Sequence, residues 1–347
     1  MHTFKSHFWA AARSACADLM LQQVPGSSIP RTHASAAPLE LPMKIHCPIL
    51  GRPTVARQTA YSHGEWSIVQ CTETGFVFLQ NPPSYGRLES EFAWEATAAE
   101  QTKSRRRQYP LQKAISRSLS GIKNWLFPRR NRFFTLARHH LPATHEGPIC
   151  VLDIGCGGGE MLMDLHSRFQ HQQRQVIPQG IEISLQLAES ANQRVATLGG
   201  KVLQDSAIGG TEQLAPGSVD IAIMSSFLEH EAQPLELLVA LHHALTDHGA
   251  IILKVPNFAC WNRHLRRGNW PGFRYPDHVN YFTPQTLSAL ASQAGLSCRQ
   301  TFLDTIPSSD NMYAVLKKQP AAESAHTDAP SGATANSSPP AEARQAA

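Results

Sequence analysis

Short runs rich in apolar residues alternate with longer stretches in which apolar residues recur at helical spacing, and this alternation fills residues 149–318. The runs are Ile149–Leu152, Gln175–Ile183, Lys201–Gln204, Val219–Met224, Ala250–Val255, Leu296–Leu303 and Met312–Lys317. Apolar runs of about four to eight residues bounded by turn residues read as buried strands. Between them, Met161–Leu165 and Leu185–Leu198 have helical composition. A third helix opens at Pro234 and runs to about Thr246, and a fourth runs from Pro284 to Ala294. Proline suits a first helical turn, and Gly295 is placed to cap the fourth helix. Strand and helix in alternation predict a parallel sheet covered on both faces. The expected fold class is α/β, a Rossmann-like, doubly wound, mostly parallel sheet of seven strands.

The pattern changes on either side of this region. Residues 44–83 read as a small β unit, and 84–100 as a helical connector. Ile115, Leu119, Ile122 and Leu126 recur at helical spacing within a strongly basic stretch. Residues 1–42 show little periodicity and end in Pro, Ser and Ala. They read as a presequence, as disorder, or as a start set too early with translation from Met43; the last two are the expectation. Residues 319–347 are mostly Ala, Ser, Pro and Thr, the composition of a disordered tail. The predicted organisation is therefore 1–42 disordered or mis-set start, 44–100 β unit and connector, 101–140 basic helical segment, 141–318 main domain and 319–347 tail.

Charge and cysteine usage refine this picture. Net charge is only +4, yet Gln101–His140 holds eleven Lys or Arg and no acidic residue. Such a helix either covers the core with a solvated basic face or offers contact to an anionic partner or membrane surface through residues 103–138. No aromatic–basic signature of a nucleic-acid module accompanies it. The seven cysteines are odd in number and scattered, which suggests reduced thiols and a cytoplasmic protein. No apolar run approaches the roughly 20 residues that span a bilayer.

Candidate chemistry lies at the ends of the predicted strands, where ligands bind in open α/β sheets. After the first strand comes Asp153, then glycines at 155, 157, 158 and 159. Glycine there permits positive φ and close approach of a ligand. A dinucleotide turn needs Gly-x-Gly-x-x-Gly, but the last position holds Glu160, a carboxylate where a diphosphate would sit. The spacing present is Asp-x-Gly-x-Gly-x-Gly. Glu182 follows the second strand, Asp205 the third, Ser225–His230 the fourth and Pro256-Asn257 the fifth.

The Asp153–Gly159 motif, with acidic residues in this order, resembles class I S-adenosylmethionine-dependent methyltransferases over residues 149–318. The resemblance implies S-adenosylmethionine as cofactor. It implies a turn of Asp153, Gly155, Cys156, Gly157 and Gly159 beneath the methionine part, and Glu182 with Ile183 at the ribose. It further implies Asp205 and Ser206 at the adenine, and Ser225 closing the pocket. Phe227-Leu228-Glu229-His230, Val255-Pro256-Asn257 and Asp277–Thr283 resemble ubiquinone-biosynthesis O-methyltransferases and polysaccharide-cluster methyltransferases. The implied reaction is O-methylation of a glycan or a small aromatic or isoprenoid acceptor.

A hydroxyl acceptor needs a base, and His278 and His230 are the candidates by position. The alternative for each is structural, as a pin or a cap. The aromatics and arginines of 260–281 either line an acceptor pocket or pack a lid. Two further functions compete: a non-catalytic module docking on anionic surfaces, and a nicotinamide-dependent oxidoreductase, against which Glu160 argues.

The β unit resembles the N-terminal zinc ribbon of many bacterial methyltransferases through Gly75-Phe76-Val77-Phe78 and Asn81-Pro82-Pro83. Cys47 and Cys71 stand where that ribbon has cysteine pairs, but their partners are Leu50 and Thr74. Two thiolates do not close a tetrahedral site. The expectation is a degenerate ribbon that has lost its metal, and no metal site in the chain.

Overall fold

The computed structural model describes residues 43–83, 132–141 and 147–320. The expectations for 1–42, for the connector 84–100, for the basic segment up to residue 131 and for most of the tail lie outside the described residues. Among the described residues no helix is long and apolar enough to cross a membrane.

Seven strands form the main sheet: β5 (Ile149–Ile154), β6 (Val176–Glu182), β7 (Lys201–Gln204), β8 (Val219–Ser225), β9 (Leu245–Pro256), β11 (Leu296–Arg299) and β12 (Asn311–Lys318). Their order is β11-β12-β9-β8-β5-β6-β7. β5 through β9 pair in parallel, and β12 runs antiparallel to both β9 and β11. The doubly wound, mostly parallel α/β architecture expected from the sequence is the one observed. The strand order reverses between β5 and β8, which makes their carboxyl ends the switch point.

The central strands read as unbroken apolar runs because each alternate residue is buried on a different face. Leu152, Ala222, Met224, Ile251 and Leu253 join one core cluster, while Val151, Ile221, Ile223, Ala250 and Ile252 join another. Helices α4 (Ala207–Glu212), α5 (Pro234–Ala244) and α7 (Pro284–Gln293) feed the first. Helices α1 (Arg132–His140), α2 (Glu160–Gln170) and α3 (Leu185–Ala196) feed the second. α1 is the described end of the basic segment. Phe133 and Ala137 are buried, and Arg132 pairs with Asp304 and lies 4.3 Å over the Tyr313 ring.

Three boundaries differ from the sequence reading. The helix opened by Pro234 stops at Ala244 because Leu245 already pairs with Val219. The ladder is then interrupted and resumes at Ala250 opposite Ile221, so Gly249 lies within a bulge of β9 rather than before the strand. The run at 296–303 is a strand only to Arg299. A short helix α8 (Phe302–Thr305) follows and carries the buried Asp304 to Arg132.

The N-terminal β unit is a separate antiparallel sheet: β1 (Met43–Cys47), β2 (Arg52–Gln58), β3 (Ile68–Cys71) and β4 (Val77–Leu79). Its fifth strand comes from the far end of the chain. β10 (Asn280–Tyr281) pairs antiparallel with β4, Asn280 opposite Phe78 and Tyr281 opposite Val77. The insertion after β9 folds against this sheet, with Trp270, Phe273, Val279 and Tyr281 packing on Ile68, Val77 and Leu79. Trp270 and Phe273 are therefore packing residues. Trp261, on helix α6 (Trp261–Arg266), is exposed.

Asp310 ties the insertion to β12. It accepts hydrogen bonds from Asn262 Nδ2 (2.9 and 3.0 Å) and Trp270 Nε1 (3.1 Å). Asp310→Ala is expected to lower stability by roughly 1.5–3 kcal/mol, the range for hydrogen bonds to a charged group. Denaturant unfolding would measure it, and an unchanged midpoint would show that the insertion is held by apolar packing alone.

Candidate functional site

β5 ends in a turn whose backbone only glycine adopts without strain. Gly155, Gly157 and Gly159 have φ of 67°, 54° and 83°. The turn is fastened to β6, because Gly155 N and Cys156 N both donate to Ile181 O, at 2.8 and 3.2 Å. Gly159 caps α2 from the left-handed region. Above the turn lies the Phe227 ring. A Cβ placed on Gly155 would stand 2.4 Å from Phe227 Cδ2.

Glu182 closes the turn from the end of β6. One carboxylate oxygen accepts from Gly157 N at 2.9 Å and the other from Ser184 N at 3.0 Å. Each retains a lone pair for a further donor. Asp153 lies close by, 3% exposed, and burial followed by the Glu182 charge raises its carboxyl to about 8. Two neighbouring carboxyl groups at the head of a Gly turn favour a cationic ligand, which restores the charged form of the acid.

The other expected cofactor residues surround this point unevenly. Asp205 Oδ1 accepts from Ser206 N (2.6 Å), and Oδ2 accepts from Gln213 Nε2 (2.6 Å). The Ser206 hydroxyl caps α4 through Gly209 N at 3.0 Å. Ile183 O accepts from Gln204 Nε2 at 3.0 Å. The Cys156 side chain points into the core against Gly180, and its thiol pKa is raised by burial and by the Asp153 and Glu182 charges. Ser225 ends β8, half-buried, and the next residue, Ser226, has φ of 59°. A non-glycine residue held in that region beside a ligand site is a frequent form of stored strain.

Beyond Phe227, the loop after β8 meets the Asp277–Thr283 motif. Val279 N and Asn280 N both donate to Glu229 O, at 2.8 and 3.0 Å. The Asn280 amide donates to Leu228 O (3.1 Å) and to Glu231 O (2.6 Å). This clamp sets the His230 and His278 rings edge to face, 4.7 Å between centroids. Each ring holds a main-chain carbonyl through Nδ1: His230 that of Asp277 and His278 that of Gly272, both at 2.8 Å. A carbonyl only accepts, so in both rings Nδ1 carries the proton and Nε2 is the basic nitrogen. Burial lowers His230 to about 4, aided by the Arg274 charge and opposed by the Asp277 carbonyl.

Glu229 lies within the Ser225–His230 stretch expected at the site, but no role of its own was expected for it. It is 1% exposed, and burial raises its carboxyl to about 8 against the Lys254 and Arg274 charges. A carboxylate between Leu228 and His230, in the motif that follows the fourth parallel strand, was the available signal.

In the β unit, Cys47 and Cys71 are buried, and Thr74 stands between them. Its hydroxyl is 3.8 Å from Cys47 Sγ, and its N–H is 3.5 Å from Cys71 Sγ.

A family described as "Methyltransferase domain" matches residues 127–301, just over half of the chain. No curated protein matches the chain. Among solved structures, the chain is similar to a SAM-dependent methyltransferase from Archaeoglobus fulgidus, at 18% identity and TM-score 0.41 over 57% of this chain and 98% of that one. It is also similar to the plantazolicin methyltransferase BamL, solved with a triazolic desmethylPZN analogue and SAH. There the identity is 16% and the TM-score 0.41, over 58% of this chain and 90% of that one.

Proposed function

The chain belongs to the methyltransferase domain family, and on that premise we propose that it transfers a methyl group from S-adenosylmethionine to an oxygen of a glycan or a small aromatic or isoprenoid acceptor. One observation carries the reading. The Asp153–Gly159 turn, at the switch point of the sheet, is bridged by Glu182, and burial with the Glu182 charge raises the Asp153 carboxyl to about 8. Those residues fit a zwitterion with a sulfonium centre and fit a diphosphate poorly. Glu160, at the head of α2, adds a second carboxylate there and is paired with Arg194 at 2.8 Å.

S-adenosylmethionine, when bound, supplies an electrophilic methyl group for in-line displacement. The protein's part is orientation and proton handling. Asp153 and the turn at Gly155, Cys156, Gly157 and Gly159 hold the methionine portion. Glu182 would accept from the ribose hydroxyls beside Ile183, and Asp205 with Ser206 would meet the adenine. Ser225 and Phe227 cover the reacting end. His278 and His230 present Nε2 on the acceptor side of the loop after β8.

Calorimetric titration with S-adenosylmethionine and S-adenosylhomocysteine tests the reading directly, and absence of heat with both would end it. Glu182→Ala should weaken cofactor binding by roughly 1.5–3 kcal/mol. An unchanged dissociation constant would remove Glu182 from the ribose site. The acceptor class is reached by screening cell extract with radiolabelled methyl donor.

A further inference from the structure

We propose that Cys47 and Cys71 form a peroxide-responsive thiol pair, in which Cys71 is oxidised first and Cys47 then closes a disulfide onto it. Two matching turns bring them together. Cys47-Pro48-Ile49-Leu50-Gly51 follows the end of β1, and Cys71-Thr72-Glu73-Thr74-Gly75 the end of β3. In each, the cysteine carbonyl accepts from the glycine N–H at 3.0 Å, and the glycine has positive φ, 60° at Gly51 and 69° at Gly75. Successive N–H groups in such a turn make a concavity suited to an anion. In the second turn Thr74 N donates to Cys71 Sγ at 3.5 Å.

The two turns face one another. The Thr74 hydroxyl lies 3.8 Å from Cys47 Sγ, and the same side chain hydrogen-bonds Cys71. The two thiols also hydrogen-bond each other, and both are free. Among the described residues, no third His, Cys, Asp or Glu joins them in a group that could hold a metal ion. Two thiols in contact, without a ligand set around them, are left with the chemistry of thiols.

Their surroundings make them unequal. Burial raises the Cys71 thiol, but hydrogen bonds from the Thr74 side chain and N–H, from Glu73 N and from the Cys47 thiol outweigh it, and the group lies below the ordinary thiol value. Burial holds Cys47 above that value, against the N–H groups of Leu50 and Ile49. Burial also raises Cys150 to about 12, Cys260 and Cys298 to about 11, and Cys156. Among the described cysteines Cys71 therefore ionises most readily, and thiolate character sets susceptibility to oxidation.

The oxidant is a hydroperoxide, with hydrogen peroxide the simplest. The Cys71 thiolate attacks one oxygen, the O–O bond breaks, and the leaving hydroxide takes a proton to become water. Cys71 is now a sulfenic acid. The Cys47 sulfur attacks the Cys71 sulfur, the S–O bond breaks, and a second water leaves with the Cys47 proton. Two thiols and one hydrogen peroxide thus give one disulfide and two waters. A small oxidant suits the place: both sulfurs are buried, but Gly51, Thr72, Glu73 and Gly75 of the same turns are exposed. The bond would close a loop of 23 intervening residues and tie the edge strand β1 to β3, from which β4 and then β10 continue the sheet. Closing such a loop restricts the unfolded chain and stabilises the folded one.

The test uses the full chain, reduced with dithiothreitol, desalted and treated with increasing hydrogen peroxide. Mass-spectrometric mapping without reduction is expected to find the Cys47 peptide joined to the Cys71 peptide before any other described cysteine is modified. Dithiothreitol should release it. The thermal midpoint should rise on oxidation and return on reduction. Cys47→Ser should leave Cys71 as a sulfenic acid that dimedone captures, and Cys71→Ser should leave Cys47 reduced at the same peroxide dose. Absence of the Cys47–Cys71 bond, or its formation between molecules only, overturns the proposal. So does a Cys71 that reacts no faster than Cys298 in the wild-type chain, a result that needs no variant to fold. Stoichiometric zinc held by these two thiols in the reduced protein overturns it as well.

Discussion

Gly155→Val abolishes cofactor binding while leaving a folded protein. Two effects act at this position. The residue has φ of 67°, a region that costs an L side chain roughly 1–2 kcal/mol and a β-branched one more. Its Cβ would also lie 2.4 and 2.9 Å from Cδ2 and Cε2 of Phe227. The obstacle is that ring. The turn cannot retreat, because Gly155 N and Cys156 N are both bonded to Ile181 O. Phe227 must therefore move, and it carries with it the loop leading to Glu229 and His230. Gly217→Val is the matched control. That glycine has φ of 66°, but nothing lies within 4 Å of its added Cβ. The control should lose stability yet bind cofactor normally by calorimetry. Wild-type affinity in Gly155→Val would place the cofactor elsewhere.

The sheet was legible because buried parallel strands leave a mark in sequence: Val219–Met224 and Ala250–Val255 are apolar on both faces. The strand-end residues were legible by their order, since any one of Asp153, Glu182 and Asp205 alone reads equally well as a helix cap. What escaped was decided by contacts between distant residues. Helix α4 contains Gly209 and Gly210, poor helix formers, yet Gly210 sits where a Cβ would come 2.7 Å from Ile181. Close packing against β6, with the Ser206 cap, overrides propensity there. Strand β10 has two residues and no period to detect, and it exists because the insertion docks on β4. The pairing of Glu229 with His278 follows from that docking: once Val279 and Asn280 bond Glu229 O, the ring on residue 278 has to lie over the loop after β8. Local pattern names both histidines, and only the tertiary clamp shows that they share one site.

His278→Ala lowers methyl transfer by about 10²–10⁴-fold, the range for loss of a positioned acid–base group, with cofactor affinity nearly unchanged. The ring is buried beside the loop after β8, on the far side of Phe227 from the Gly turn in chain order, so truncating it leaves the Glu182 and Gly157 contacts untouched. Asp277 does not orient it; its carboxylate is engaged by Arg274 at 3.2 Å, and its carbonyl by His230. The orienting contact is the Gly272 carbonyl, and this allows a sharper variant. In His278→Asn the amide nitrogen reproduces the Nδ1 donor toward Gly272 O, while the position of Nε2 is vacated. A structural pin predicts that asparagine restores both stability and turnover. A role for Nε2 as base predicts that asparagine restores the melting temperature and leaves turnover as low as in the alanine variant. Transfer of radiolabelled methyl to the acceptor found by screening, measured beside thermal unfolding, reads both quantities on the same protein. Full turnover in His278→Asn would reduce His278 to a pin and leave His230 as the remaining candidate base.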